Sequence, residues 1–98
     1  MRRRLLYRPL ARLDIVEARN WYADEREGLD DEFLSELSRL LKRIASAPQQ
    51  FPHMQGDVRK AAMTRFPYSA YFRALKGEIE IIAVLHQHRD LRVLQRRM

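Results

Sequence analysis

Cysteine is absent from this 98-residue chain. That excludes a disulfide framework and any thiolate metal site, and it is compatible with a reducing compartment. Long apolar runs are missing as well. The longest, Ile81 to Leu85, is five residues, against the roughly 20 that a membrane-spanning helix needs. Glycine occurs three times, and no glycine-rich phosphate loop, nucleophile elbow or paired-carboxylate arrangement can be placed. Acidic residues are in deficit, with 13 Asp and Glu against 19 Lys and Arg for a net charge of +6. There is no internal repeat, low-complexity tract or linker, so residues 1–98 read as one domain with one modest core.

What is present is the composition of an ordinary globular protein, 46% hydrophobic and 33% charged. Its charge is unevenly placed. Residues 1–36 hold seven Lys/Arg against nine Asp/Glu, and residues 37–98 hold twelve against four. The second half is therefore where a polyanion would dock, unless the arginines are simply solvated. The start, Met1-Arg2-Arg3-Arg4-Leu5-Leu6, resembles the charged end of a signal peptide. Arg8, Arg12 and Asp14 interrupt any apolar region behind it, so a cytoplasmic location is expected and a membrane partner is not.

Residues 3–8 read as a short strand ending at Pro9, a residue suited to the first turn of a helix. Ala11, Ile15, Ala18 and Tyr22 then recur at helical spacing, with Trp21 beside them. Trp21 and Tyr22 are both expected in the core. Asp24-Glu25-Arg26-Glu27-Gly28 ends the helix, with Gly28 as a left-handed cap. A second helix starts near Leu29 or Asp30, carries Leu29, Phe33, Leu37, Leu40 and Ile44 on one stripe, and stops at Pro48. Residues 48–57 read as a loop. Strands follow at 58–66, 68–75 and 78–87, the last two joined by a Lys76-Gly77 turn. Residues 90–98 read as one helical turn or a frayed end. The expected fold class is α+β, ordered β-α-α-β-β-β. A helix hairpin covers one face of a small, mainly antiparallel curved sheet, leaving the other face free and functional.

His86 ends the last strand, on a face expected to be shared with Ile82, Val84 and His88. It is either a proton-transfer group or a structural histidine. Arg59 and Arg65, six residues apart on one strand, would share a face and suit a phosphate. Equally, they could pair with the acidic segment 24–36. Arg89, Arg92, Arg96 and Arg97 form a basic tail whose sole carboxylate is Asp90; it is an electrostatic contact or a solvated end. Tyr68, Tyr71 and Phe72 fit a core better than a base-stacking platform. His86, His88 and His53 lack the further ligands a metal would need, so neither metal nor cofactor is expected.

One ordered set of residues adds to this. Arg59, then Arg65-Phe66-Pro67-Tyr68, Tyr71-Phe72, Ile81-Ile82-Ala83-Val84-Leu85-His86 and Arg89-Asp90 resembles the C-terminal half of the RelE/ParE toxin superfamily. These are the toxic halves of bacterial type II toxin–antitoxin pairs. Ala11, Asp14, Ile15, Ala18, Trp21 and Tyr22 are similar to its first helix. Phe33, Leu34, Leu37, Ile44-Ala45 and Pro48 are similar to its second. The resemblance implies a cognate antitoxin whose flexible segment docks on the helix hairpin or extends a sheet edge. It also implies a target, either DNA gyrase for ParE-like members or ribosome-bound mRNA for RelE-like ones.

Under an RNA-cleaving reading, His86 would be the acid, Arg59, Arg65 and Arg73 would hold the phosphate, and no base is evident. Ser69 stands where the RelE pattern often has an arginine, and Lys60 alone represents its lysine-rich segment. These departures favour a ParE-like gyrase inhibitor with Arg73, Arg89, Arg92, Arg96 and Arg97 as target contacts. The alternatives are a RelE-like endoribonuclease and a non-toxic scaffold that only binds its antitoxin.

Overall fold

A computed structural model describes residues 2–89 and 91–98. Met1 and Asp90, the sole tail carboxylate, lie outside the described residues. The elements are β1 (Arg4–Tyr7), α1 (Pro9–Glu25), α2 (Leu29–Ser46), a 3-10 turn (Pro48–Gln50), β2 (His53–Gln55), β3 (Val58–Ala62), β4 (Tyr68–Leu75), β5 (Glu78–His86) and α3 (Arg92–Arg97). The strands form one sheet in the order β1-β5-β4-β3-β2. Only the β1–β5 pair is parallel. The α+β class and the helix hairpin on a mainly antiparallel sheet are as expected. A short strand and a C-terminal helix are added.

Pro9 opens α1, where its missing N–H breaks no bond. Gly28, at φ 85°, supplies the left-handed residue between the two helices. Asp30, Asp31 and Glu32 fill the first turn of α2, the favourable sign for the helix dipole. Phe33, Leu37, Leu40 and Ile44 are buried against the sheet, together with Ala61, Phe72, Ile79, Ile81 and Val84. Tyr22, Phe33 and Phe66 meet edge-on or tilted, with centroids 4.9 to 5.4 Å apart, the geometry that ring quadrupoles favour.

Four expectations need correction. Residues 53–55 are not loop: Gly56, at φ 57°, and Asp57 turn them back antiparallel on β3, with His53 opposite Arg59 and Gln55 opposite Val58. The strand predicted over 58–66 stops at Ala62: the Met63 N–H still reaches the Tyr68 carbonyl of β4, and Glu36 of α2 takes the two donors after it. Its carboxylate accepts the N–H groups of Thr64 at 2.5 Å and Arg65 at 3.1 Å, pulling both out of the ladder. Arg65 therefore does not share a strand face with Arg59.

Third, the face opposite the helix hairpin is not free. Leu94 of α3 is fully buried on it, packed with Val58, Tyr71, Ile82, Ala83 and Leu85, so the tail is docked on the sheet, with Arg92 and Arg96 on its exposed side. Fourth, Trp21 is 56% exposed, although its neighbour Tyr22 is buried as expected. On α1, Asp14 is buried whereas Ile15 is only half-buried.

Candidate functional site

Strand β5 carries a bulge. Tyr71 of β4 pairs with Ala83 and Phe72 pairs with Ile81, leaving Ile82 as the extra residue. Ile81 and Val84 consequently face the helices, while Ile82 and Ala83 face α3. His86 follows Val84 onto the helix side and does not share a face with Ile82. Beyond Ile81, β5 has lost its β1 neighbour, since β1 ends at Tyr7. The first helix occupies that edge. Asp14 accepts the Val84 N–H at 3.0 Å, replacing the missing ladder partner.

The end of β5 and α1 together enclose a cleft of about 490 Å3. Asp14, Glu17, Ala18, Trp21 and Tyr22 form its helical wall, and Pro67, Tyr68, Val84, Leu85, His86 and Arg89 the facing one. The His86 Nδ1 accepts the His88 N–H at 3.1 Å, so a neutral ring keeps its proton on Nε2 and presents a donor. The ring stands edge-on to Tyr68 with centroids 5.3 Å apart. Burial pushes the Tyr68 phenol above its ordinary value. Arg89 pulls it back, and Asp14 and Glu17 add to the rise. Glu17 and Arg89 are exposed, and neither has a hydrogen bond or ion pair from its side chain among the described residues.

The other predicted site residues lie elsewhere. Arg59 donates to the Phe51 carbonyl at 2.6 Å. Arg65 donates to Glu32 at 2.7 Å, the pairing with the acidic segment left open by sequence. His86, Arg59 and Arg65 thus have three separate surroundings. Arg73 is held between Asp57 at 2.9 Å and Glu80 at 3.2 Å; the hydrogen bond that it donates to Asp57, then the charges of Asp57 and Glu80, keep the guanidinium protonated beyond its usual range despite partial burial.

Arg92 and Arg96 are exposed on α3. Arg97 is not. It reaches around the open β5 edge to Asp14, at 2.6 and 3.1 Å, and both side chains are nearly buried, at 10% and 8% exposure. Arg8 in turn donates to the Arg97 carbonyl. Asp14 entered the sequence reading only through the resemblance of the first helix, with no role assigned. A carboxylate at a stripe position of α1 is the signal that could have found it, because a buried acid needs a partner.

A second concavity, about 470 Å3, runs between α1, α2 and β1. Leu5, Ile15, Val16, Leu34 and Leu41 line it, and Arg12 and Lys42 edge it. Beside it α1 leaves Leu10 and Leu13 exposed, an apolar strip along an otherwise polar surface. Among the described residues, no group of three His, Asp or Glu side chains could hold a metal ion, and no helix is long and apolar enough to cross a membrane.

Comparison with known proteins gives three findings. The family described as "ParE toxin of type II toxin-antitoxin system, parDE" matches residues 5–91. No curated protein matches the chain in sequence. Among solved structures, a chain of the "Chromosomal ParDE TA system from P. aeruginosa" superposes with a TM-score of 0.71 at 20% identity, covering 86% of this chain and 95% of that one. At that identity the likeness speaks to the fold, and the two share it.

Proposed function

This chain belongs to the ParE toxins of type II toxin–antitoxin systems, and from that premise we propose that it inhibits DNA gyrase and is silenced by a cognate antitoxin. The match over residues 5–91 carries the reading. Geometry supports the inhibitor over the nuclease. A 2′-hydroxyl attack needs a base, an acid and phosphate-holding cations around one atom. Here His86 lines the cleft beside α1, Arg59 is occupied by a backbone carbonyl, and Arg65 is tied to α2.

The target contact falls to the exposed cations at the C-terminal end, Arg89, Arg92 and Arg96. Arg73 and Arg97 serve the fold through Asp57, Glu80 and Asp14. The antitoxin segment, as an amphipathic helix, lies in the groove between α1, α2 and β1. Its apolar side covers Leu10, Leu13 and Val16, and its acidic side meets Arg12 and Lys42.

The test is induced expression in cells carrying a reporter plasmid. Growth arrest, relaxed plasmid and intact mRNA are expected, with rescue by co-expressed antitoxin. Codon-dependent mRNA cuts lost in His86→Ala would make the chain a nuclease instead. Unimpaired growth with abundant folded protein would leave only antitoxin binding.

A further inference from the structure

The cleft between α1 and the end of β5 has a polar pattern of which the toxin reading uses only Arg89. On the helical wall stands an acceptor, the Glu17 carboxylate. On the facing wall stand donors: the Arg89 guanidinium, the Nε2–H of neutral His86 and the Tyr68 hydroxyl. Glu17 and Arg89 hold no partner for their side chains among the described residues, although both act electrostatically on the Tyr68 phenol. Opposite charges therefore stand on the two walls of one cleft, available to a ligand that offers donors to one wall and acceptors to the other. The aromatic surfaces agree. Trp21 is more than half exposed at the cleft and braced edge-on by Tyr22 at 5.1 Å. His86 is braced by Tyr68. The volume, about 490 Å3, falls in the range of about 300–1,000 Å3 typical of small-molecule sites.

We propose that this cleft binds a guanine base, stacked on Trp21, with Glu17 on its N1–H and N2–H and Arg89 on O6 and N7. The chemistry selects the base. A carboxylate accepts only, so it needs two adjacent donors on one ring edge, which guanine has. Adenine and cytosine each set a ring acceptor beside their amino group, and that acceptor would face Glu17 in repulsion. Guanine's other edge carries two acceptors that a guanidinium takes bidentately. Stacking on the indole adds affinity without choosing among bases. The base can arrive as a free mononucleotide or within a single strand. The proposal rests on the cleft alone, and its failure would leave the toxin reading standing.

Trp21 is the sole tryptophan, so its fluorescence, excited beyond the absorption of the bases, reports on the site. Purified full-length chain is titrated with guanosine monophosphate, adenosine monophosphate and a single-stranded tetranucleotide containing one guanine. Backbone amide shifts follow the same titrations. Guanosine monophosphate should quench saturably and shift residues of both walls, with the adenine nucleotide about tenfold weaker. Glu17→Gln should erase that preference, and Arg89→Met should weaken guanine binding about tenfold. Neither side chain supports the fold, and circular dichroism checks that each variant stays folded. Tighter binding of the tetranucleotide upholds the proposal with nucleic acid as the source. Equal binding upholds it with the free nucleotide. No saturable quenching by any ligand, equal response to the two mononucleotides, or a preference that survives Glu17→Gln would overturn it.

Discussion

Replacing Arg97 by methionine isolates one buried ion pair. Methionine keeps the length and apolar stem of the side chain but removes the guanidinium that grips Asp14 at 2.6 and 3.1 Å. Asp14, 8% exposed, then keeps a single donor, the Val84 N–H at 3.0 Å. Breaking a buried pair by removing one partner costs about 3–5 kcal/mol, because the remaining charge is stranded out of water. A domain of this size has about 5–15 kcal/mol in total. With a urea slope of about 2 kcal/mol per molar, a loss of about 4 kcal/mol moves the unfolding midpoint down by about 2 M. Arg96→Met, one residue away on the exposed side of α3, should stay within about 0.5 kcal/mol of the parent. The double variant Asp14→Asn with Arg97→Met should recover part of the loss, since no charge is then stranded. Equal midpoints for the Arg96 and Arg97 variants would refute the reasoning, showing that the tail is not locked to α1.

Other outcomes follow from the same structure. Leu37→Asp should abolish folding, because the side chain is 2% exposed within the core and a carboxylate there is stripped of water; a soluble variant with native circular dichroism would count against the helix–sheet core. Hydrogen bonds from Arg65 and then Arg26 hold the Glu32 carboxyl below its ordinary 4.5. A depressed folded pKa contributes stability above the unfolded value and loses it as pH falls through the folded one. Acid unfolding of the parent should therefore carry a component below about pH 4.5 that Glu32→Gln lacks; identical acid curves would contradict it. Val16→Glu, in the apolar groove beside α1, should weaken antitoxin binding by at least about tenfold in calorimetry while the chain stays folded; unchanged affinity would move the docking site elsewhere.

The helices were legible because their signals are local. Pro9, Gly28 and Pro48 punctuate them, and the stripe of Phe33, Leu37, Leu40 and Ile44 repeats at helical spacing. The Lys76-Gly77 hairpin was legible for the same reason. What was not legible depends on residues far apart in sequence. The β5 bulge at Ile82 turns His86 away from the face that simple alternation gives it. Glu36 ends β3 from a separate helix, 28 residues away. Arg96 and Arg97 look alike in a basic tail, yet only Arg97 finds the carboxylate of Asp14. Trp21 sits one step off the buried stripe of α1, and its exposure is set by the cleft that it borders. The strand at 53–55 could have been read, since Gly56-Asp57 between short extended segments is a hairpin signal that the surrounding prolines and glutamines mask.

The central claim is inhibition of gyrase, and purified components test it most directly. Gyrase, relaxed plasmid and ATP are incubated with increasing amounts of this chain, with and without its antitoxin. The account predicts dose-dependent loss of supercoiling, restored by an equimolar amount of antitoxin. Full supercoiling at a large excess of folded chain would contradict it.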